Sequence, residues 1–263
     1  MSKTTFSVTA IGIAAISILW IGIFQPYLTS GARAIAPVPI PPVVVVDKPV
    51  KPALAFENTT LIDQNDRQVV LNVDSVMVLV NKQRNLPADY TPSDLVIPSI
   101  PFPFTGDEPR KYMRAEAALA LEQLFAEAKN LKLDLFATSG YRSYDKQKSI
   151  FSRNVSSVGE EEANKTSARP GQSEHQTGLA MDVSSSKVGY NLVESFGATT
   201  EGIWLRENAH LFGFIIRYPK GKEQITGYSY EPWHLRFVGL EVAEYIYTHG
   251  LTLEEYFQEK YDY

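Results

Sequence analysis

Apolar residues recur every three to four positions at Met113, Ala117, Leu121, Leu124, Phe125 and Ala128. That spacing predicts a helix; Pro109 suits its first turn and Asn130 can end it, so it is expected over Pro109 to Asn130. Period-two alternation marks strands instead. In "GLAMDVSS", Met181 and Val183 face one way and Ala180 and Asp182 the other, so Asp182 is expected to leave the core side. "SVMVLVNK" (Ser75 to Lys82), "LDLFATSGYRS" up to Gly140, "GFIIRY" and "WHLRFVG" read as further strands. A second helix is expected from Ser143 or Tyr144, with Gln147 one turn in. A third runs from a cap at Thr200 to about Phe212, and Gly250 ends a fourth, "LEVAEYIYTHG". Helices and strands mix without strict alternation. The pattern predicts an α+β fold: a compact single domain with a central antiparallel sheet flanked by helices.

Ahead of these elements the pattern changes. From Phe6 to Phe24 no residue is charged, which is long enough to span a bilayer as a helix, and Lys3 precedes the run. Residues 1–36 are therefore expected to be a membrane anchor or signal segment, with "ARA" at Ala32 to Ala34 offering a cleavage site. A secretory apolar region is usually only about 7–15 residues long, which favours an uncleaved anchor. Residues 37–55, which include "PVPIPPVVVVDKPVKP", form an extended Pro/Val-rich linker, and the folded domain is expected over 56–263. The domain would act outside the cytoplasm, at the cell wall, either anchored or secreted.

Composition narrows the chemistry. Hydrophobic residues at 44% and charged residues at 21% are ordinary globular usage. A net charge of −5, without a Lys/Arg stripe, argues against nucleic acid as a partner. With no cysteine among the 263 residues, disulfides and thiolate metal sites are excluded, so any metal must be held by His, Asp or Glu. Neither a HExxH helix nor a GxSxG elbow occurs. Ser143 to Lys146 matches the Ser-x-x-Lys of serine peptidases, but the pattern recurs at Ser184 to Lys187 and no Lys-Thr-Gly follows, which makes chance the better explanation.

Two of the four histidines sit in polar, helix-free contexts: His175 in "SEHQTGLAMD" and His234 in "EPWHLR". A hydrolytic zinc site needs three protein ligands and an open position, and His175, Asp182 and His234 meet that count for one catalytic zinc ion. Gly178 lets the chain turn between the first two. Glu231 is the candidate general base. In a regular strand it would face away from His234, so a break in the alternation is required, and Pro232 supplies a reason for one. Glu174 is a rival base ranked second, because neighbouring side chains rarely converge on one point. Arg142 is the candidate for gripping a substrate carboxylate or an oxyanion, since its planar fork makes two parallel hydrogen bonds. Tyr230 and Trp233, with Tyr141 and Tyr228, are candidates for lining the groove. Arg236 stands either as a support for His234 or as a surface charge.

These residues resemble the VanY-type D-alanyl-D-alanine carboxypeptidases, zinc peptidases related to lysostaphin and the hedgehog signalling domain. The resemblance runs from about Met77 to Gly239 through "LVNKQRNLPADYTPSDL", "SGYRSYDKQ", "SEHQTGLAMDV" and "YSYEPWHLRFVG", and S-x-H-x-x-G-x-A-x-D followed by E-x-W-H matches at every defining position. It implies zinc on His175, Asp182 and His234, Glu231 as base, and Gln147 and Ser173 as further substrate contacts beside Arg142. It also implies a D,D-carboxypeptidase that removes the terminal D-alanine of peptidoglycan stem peptides; the chain is expected to be a monomer. Two alternatives stay open: an L,D-carboxypeptidase acting on tetrapeptides, and a non-catalytic zinc-bearing module that binds the cell wall.

Overall fold

A computed structural model describes residues 59–261; the expected anchor (1–36) and linker (37–55) lie outside the described residues. Among the described residues no helix is long and apolar enough to cross a membrane. Strands β1 (Thr60–Ile62), β2 (Gln68–Val70) and β3 (Arg84–Asn85) form a small sheet, and β4 (Leu95–Val96) pairs antiparallel with β5 (Met113–Arg114). Then follow α1 (Ala115–Asn130), β6 (Phe136–Ser139), α2 (Tyr144–Val158), α3 (Glu160–Thr166), β7 (Ala180–Ser184), α4 (Thr200–Asn208) and β8 (Phe214–Tyr218). Helix α5 (Glu223–Thr226), β9 (Glu231–Phe237), α6 (Leu240–His249) and α7 (Leu253–Tyr261) complete the domain. The central sheet has the order β6-β7-β9-β8, with every neighbouring pair antiparallel.

Strand alternation divides this sheet into two chemically different faces. Ala137, Met181, Val183, Phe214, Leu235 and Phe237 join the main core, into which α1 inserts Ala117, Leu121 and Leu124 with no residual exposure. Removing either leucine side chain to Ala would cost about 2–5 kcal/mol. The other face carries Asp182, His234, Arg236 and Arg217. A second apolar cluster, Ile215 with Ala243 and Ile246 of α6 and Leu253 and Phe257 of α7, closes that face at the β8 edge.

Two elements differ from the sequence pattern. Residues Ser75–Lys82 form no strand, although Val78 and Val80 are fully buried. Their backbone acceptors are used by side chains instead: Arg236 donates to the carbonyls of Val76 and Val78, and Arg84 to that of Leu79. The expected helix from Pro109 begins only at Ala115. Pro109–Lys111 is a 3-10 turn, and Met113 and Arg114 pair with β4 while the Arg114 amide donates to the Gly178 carbonyl. Helix α2 starts where expected, because the Ser143 hydroxyl caps it by accepting the Lys146 amide at 3.3 Å. That capping is the role of Ser143 in the fold.

Candidate metal centre

Sheet register brings two of the three expected ligands together. Asp182 on β7 lies directly opposite His234 on β9, and cross-strand partners on one face are natural side-chain neighbours. His175 arrives from the 3-10 turn Glu174–Thr177 just before β7. Gly178 then reverses the chain at φ +68°, where a Cβ would also meet Leu95 Cδ2 at 2.9 Å and Arg114 Cγ at 3.0 Å. Both the backbone angle and the space call for glycine there.

The break expected before His234 is present. Ile216 pairs with Leu235 but Tyr218 with Glu231, so two steps along β8 match four along β9. The extra length around Pro232 turns Glu231 back toward the site face, with Oε2 3.8 Å from His234 Nδ1.

The three expected ligands converge. Asp182 Oδ1 is 3.0 Å from His234 Nδ1, and Asp182 Oδ2 is 3.3 Å from His175 Nε2. The imidazoles meet edge-on, with centroids 4.9 Å apart. One donor atom from each residue lies within 4.8 Å of the others, and all three side chains are buried. Ligand atoms around a tetrahedral zinc sit about 3.4 Å apart, given bonds of about 2.1 Å. Side-chain rotations moving these atoms by about an ångström would close that gap, and the set of two imidazoles and a carboxylate suits a divalent cation of borderline softness.

The far nitrogens are also engaged. His175 Nδ1 lies 2.8 Å from the Gly140 carbonyl, which fixes its proton there and turns Nε2 toward Asp182. Gly140 is itself tightly enclosed, since a Cβ would fall 2.4 Å from the Tyr112 carbonyl oxygen. His234 Nε2 lies 3.3 Å from Glu174 Oε2, which leaves Nδ1 facing the cluster.

Charge is poised for a cation. Burial works against ionised Asp182, but His175 and His234 beside it hold its carboxyl well below the usual range. Burial also opposes a charged His234, yet hydrogen bonds to Asp182 and Glu174 push its pKa up to about 9, so it is an imidazolium that a metal would deprotonate. Burial lowers His175. Glu231 goes the other way: burial raises it to about 7, only partly opposed by His234 and Arg142, as suits a group that takes and returns protons near neutrality.

The remaining expected residues separate into two groups. Arg142 follows β6 and donates to Gln147 Oε1 at 2.9 Å and to Ser139 Oγ at 3.0 Å; its backbone amide donates to the His175 carbonyl. Burial lowers its pKa, while the charges of Asp182 and Glu231 act to raise it. Gln147 is buried and anchored through Nε2 on the Ala168 carbonyl at 2.6 Å, so it orients Arg142. Ser173 is buried immediately before the His175 turn. Tyr230 and Trp233 lean elsewhere. The space above Gly197 is filled by the Tyr230 hydroxyl, and the Trp233 ring packs on the main core.

Sequence reasoning did not find Arg217 and Glu254, and it ranked Glu174 second to Glu231 as a base. Glu174 is not free to act as a base: its Oε1 accepts from both Arg217 Nε and Arg236 at 2.7 Å. Arg217 forks onto Glu254 at 2.6 and 2.8 Å, and both arginines are fully buried. The available signal was a lone arginine at an inward position of each apolar strand, in "FIIRY" and "HLRFV".

A family model described as VanY, D-alanyl-D-alanine carboxypeptidase, matches residues 110–240. The chain is similar to YodJ of Bacillus subtilis (strain 168), with 53% identity over 192 residues that make up 73% of this chain and 70% of that one. It is also similar to the solved LdcB LD-carboxypeptidase, at 50% identity and a TM-score of 0.74, covering 78% of this chain and 97% of the other. A further solved relative is the vancomycin-resistance D,D-pentapeptidase VanY, a mutant in complex with Zn(II). There the identity is 35% and the TM-score 0.57, over 69% and 98% of the two chains.

Proposed function

This chain belongs to the VanY family of D-alanyl-D-alanine carboxypeptidases, and from that premise we propose that it is a zinc carboxypeptidase releasing the terminal D-alanine of peptidoglycan stem peptides. The carrying observation is the convergence of His175, Asp182 and His234 with Glu231 beside them. The residues fit zinc by donor chemistry, and a VanY relative was solved with Zn(II). Bound there, zinc would supply Lewis acidity to the scissile carbonyl and the attacking water.

The chain's own residues supply the rest. Glu231 takes a proton from the attacking water and later delivers it to the leaving amine, which its raised proton affinity allows. Arg142, held in a fixed plane by Gln147 and Ser139, grips the free carboxylate of the C-terminal residue. Ser173 adds a neutral contact beside it. The action would lie outside the cytoplasm, where the substrate is.

Two bond classes differ only in the residue before the terminal D-alanine. Identity of 50% with an LD-carboxypeptidase, against 35% with a D,D-pentapeptidase, favours the L,D bond of a tetrapeptide. The family description favours D-Ala-D-Ala, the reading expected from the sequence, and it stands second. Stem peptides ending in L-Lys-D-Ala or in D-Ala-D-Ala, followed by product mass, decide between them. Chelator-sensitive release of D-alanine from either is the expected result. Wall binding with no product from either peptide would instead support the non-catalytic module.

A further inference from the structure

The buried charges behind His234 lead from the site to the last helix. Thr252 and Glu255 close a capping box at the start of α7: the Glu255 amide donates to the Thr252 hydroxyl at 3.1 Å and the Thr252 amide to the Glu255 carboxylate at 2.7 Å. Lys222 holds the same carboxylate at 2.8 Å from the α5 side. Between those two residues, Glu254 is thereby fixed with its carboxylate toward the sheet, where both oxygens take the outer fork of Arg217. The Nε of Arg217 is left to meet Glu174 Oε1. Arg236 meets the same oxygen while its other nitrogens are bound to the carbonyls of Val76, Val78 and Phe237. Glu174 therefore has one oxygen committed to two arginines and the other to His234 Nε2.

We propose that the first turn of α7 is part of the metal centre: Glu254, through Arg217, fixes Glu174 as the acceptor for the Nε2 proton of His234, and so commits Nδ1 to the cation. Glu174, Arg217 and Glu254 are positioning residues. They touch neither substrate nor metal, and they act by selecting a tautomer and a ring orientation. An imidazole whose Nε2 holds a proton against a carboxylate offers a lone pair at Nδ1, whereas one whose Nε2 must accept carries its proton at Nδ1, where the metal would sit. The arginines make the choice directional, because they demand an oxygen on their side of Glu174. In Glu174→Gln the amide oxygen would stay with them and the NH2 would face His234, which forces the wrong tautomer.

The inference rests on the metal-centre reading above, and the test separates the two. Zinc affinity of the full chain is measured by chelator competition for wild type, Glu174→Gln, Glu254→Gln and the double variant, with histidine tautomers followed by nitrogen-15 NMR. Glu174→Gln should bind zinc about 10–100-fold more weakly, the range for lost supports of a metal-bound histidine, and should show His234 Nε2 stripped of the proton that wild type keeps there against Glu174. Glu254→Gln should weaken zinc less, and the double variant no more than Glu174→Gln alone, since both act along one chain of contacts. Independent effects that multiply, or wild-type zinc affinity in Glu254→Gln, overturn the proposal. Should Glu174→Gln not fold, Glu254→Gln carries the test through its zinc affinity and the His234 tautomer. A wild-type chain that binds no zinc would overturn the metal reading and this inference with it.

Discussion

Glu231→Gln tests whether the proposed base is held at a cost to the fold. Burial raises its carboxyl from an ordinary 4.5 to about 7. At about 1.4 kcal/mol for each tenfold change in proton affinity, the ionised form is disfavoured by about 3 kcal/mol in the metal-free chain. The sign follows from proton counting. Unfolded, Glu231 ionises near pH 4.5; folded, it keeps its proton until about pH 7. Within that window the folded chain binds more protons, so stability falls as pH rises and the full penalty is present above about pH 7. Glutamine has the same shape without the charge. Thermal unfolding in a chelator at pH 8 should therefore place the variant above wild type by about 6–12 °C, taking about 2–4 °C per kcal/mol for a domain of roughly 200 residues. At pH 5 the gain should shrink below about 1 kcal/mol, because most of the wild-type carboxyl is then protonated when folded. Peptide hydrolysis by the same variant should collapse. An equal gain at both pH values, or a lower midpoint at pH 8, would refute the link between burial and the raised proton affinity.

Arg142→Lys should lower kcat/KM on peptides with a free C-terminus by at least about tenfold, mainly through KM, because an ammonium cannot span Gln147, Ser139 and a substrate carboxylate as the planar fork does; steady-state kinetics on a stem tetrapeptide check this. Gly140→Ala should destabilise the domain by more than about 2 kcal/mol, since its Cβ would fall 2.4 Å from the Tyr112 carbonyl oxygen and 2.8 Å from Met181 Cε. Denaturant unfolding measures that cost. The same variant should bind zinc more weakly, because the Gly140 carbonyl orients His175.

Strands β7, β8 and β9 were legible because alternation reports a sheet with two unlike faces, and "GLAMDVSS" even placed Asp182 off the core side. The clustering of His175, Asp182 and His234 was legible for a different reason: with no cysteine, few side chains can hold a metal, and two histidines sat outside the predicted helices. Residues 75–82 were not legible. Their apolar run is that of a buried strand, but its carbonyls bond to Arg236, about 160 positions away, which no local pattern reports. The chain before α1 failed similarly, since Met113 continues the helical spacing yet pairs with Val96. Helix α7 did carry a sign, the Thr252-x-x-Glu255 capping box, which went unread. Nothing local marks Glu254 as part of the site, because its meaning comes from Arg217 on one strand and Glu174 on a distant turn.

The charges gathered on the site face favour an exopeptidase over an enzyme that cuts within chains. Above about pH 7, where Glu231 is ionised, the carboxylates of Glu174, Asp182, Glu231 and Glu254 face the guanidiniums of Arg142, Arg217 and Arg236, with His234 as imidazolium completing the balance in the metal-free chain. Burial makes unpaired charge expensive, so opposite charges are gathered on this one face. A divalent cation held there would bring two positive charges and displace one proton from His234, which would leave the loaded site with one positive charge in excess. Arg217 and Arg236 are consumed by Glu174, Glu254 and backbone carbonyls, so the excess resides near Arg142. A peptide entering with a free terminal carboxylate restores neutrality, whereas an internal segment does not. The same charge count makes an amidated peptide a poor substrate even where every side-chain contact is kept, because it leaves the half-buried Arg142 guanidinium without its anion.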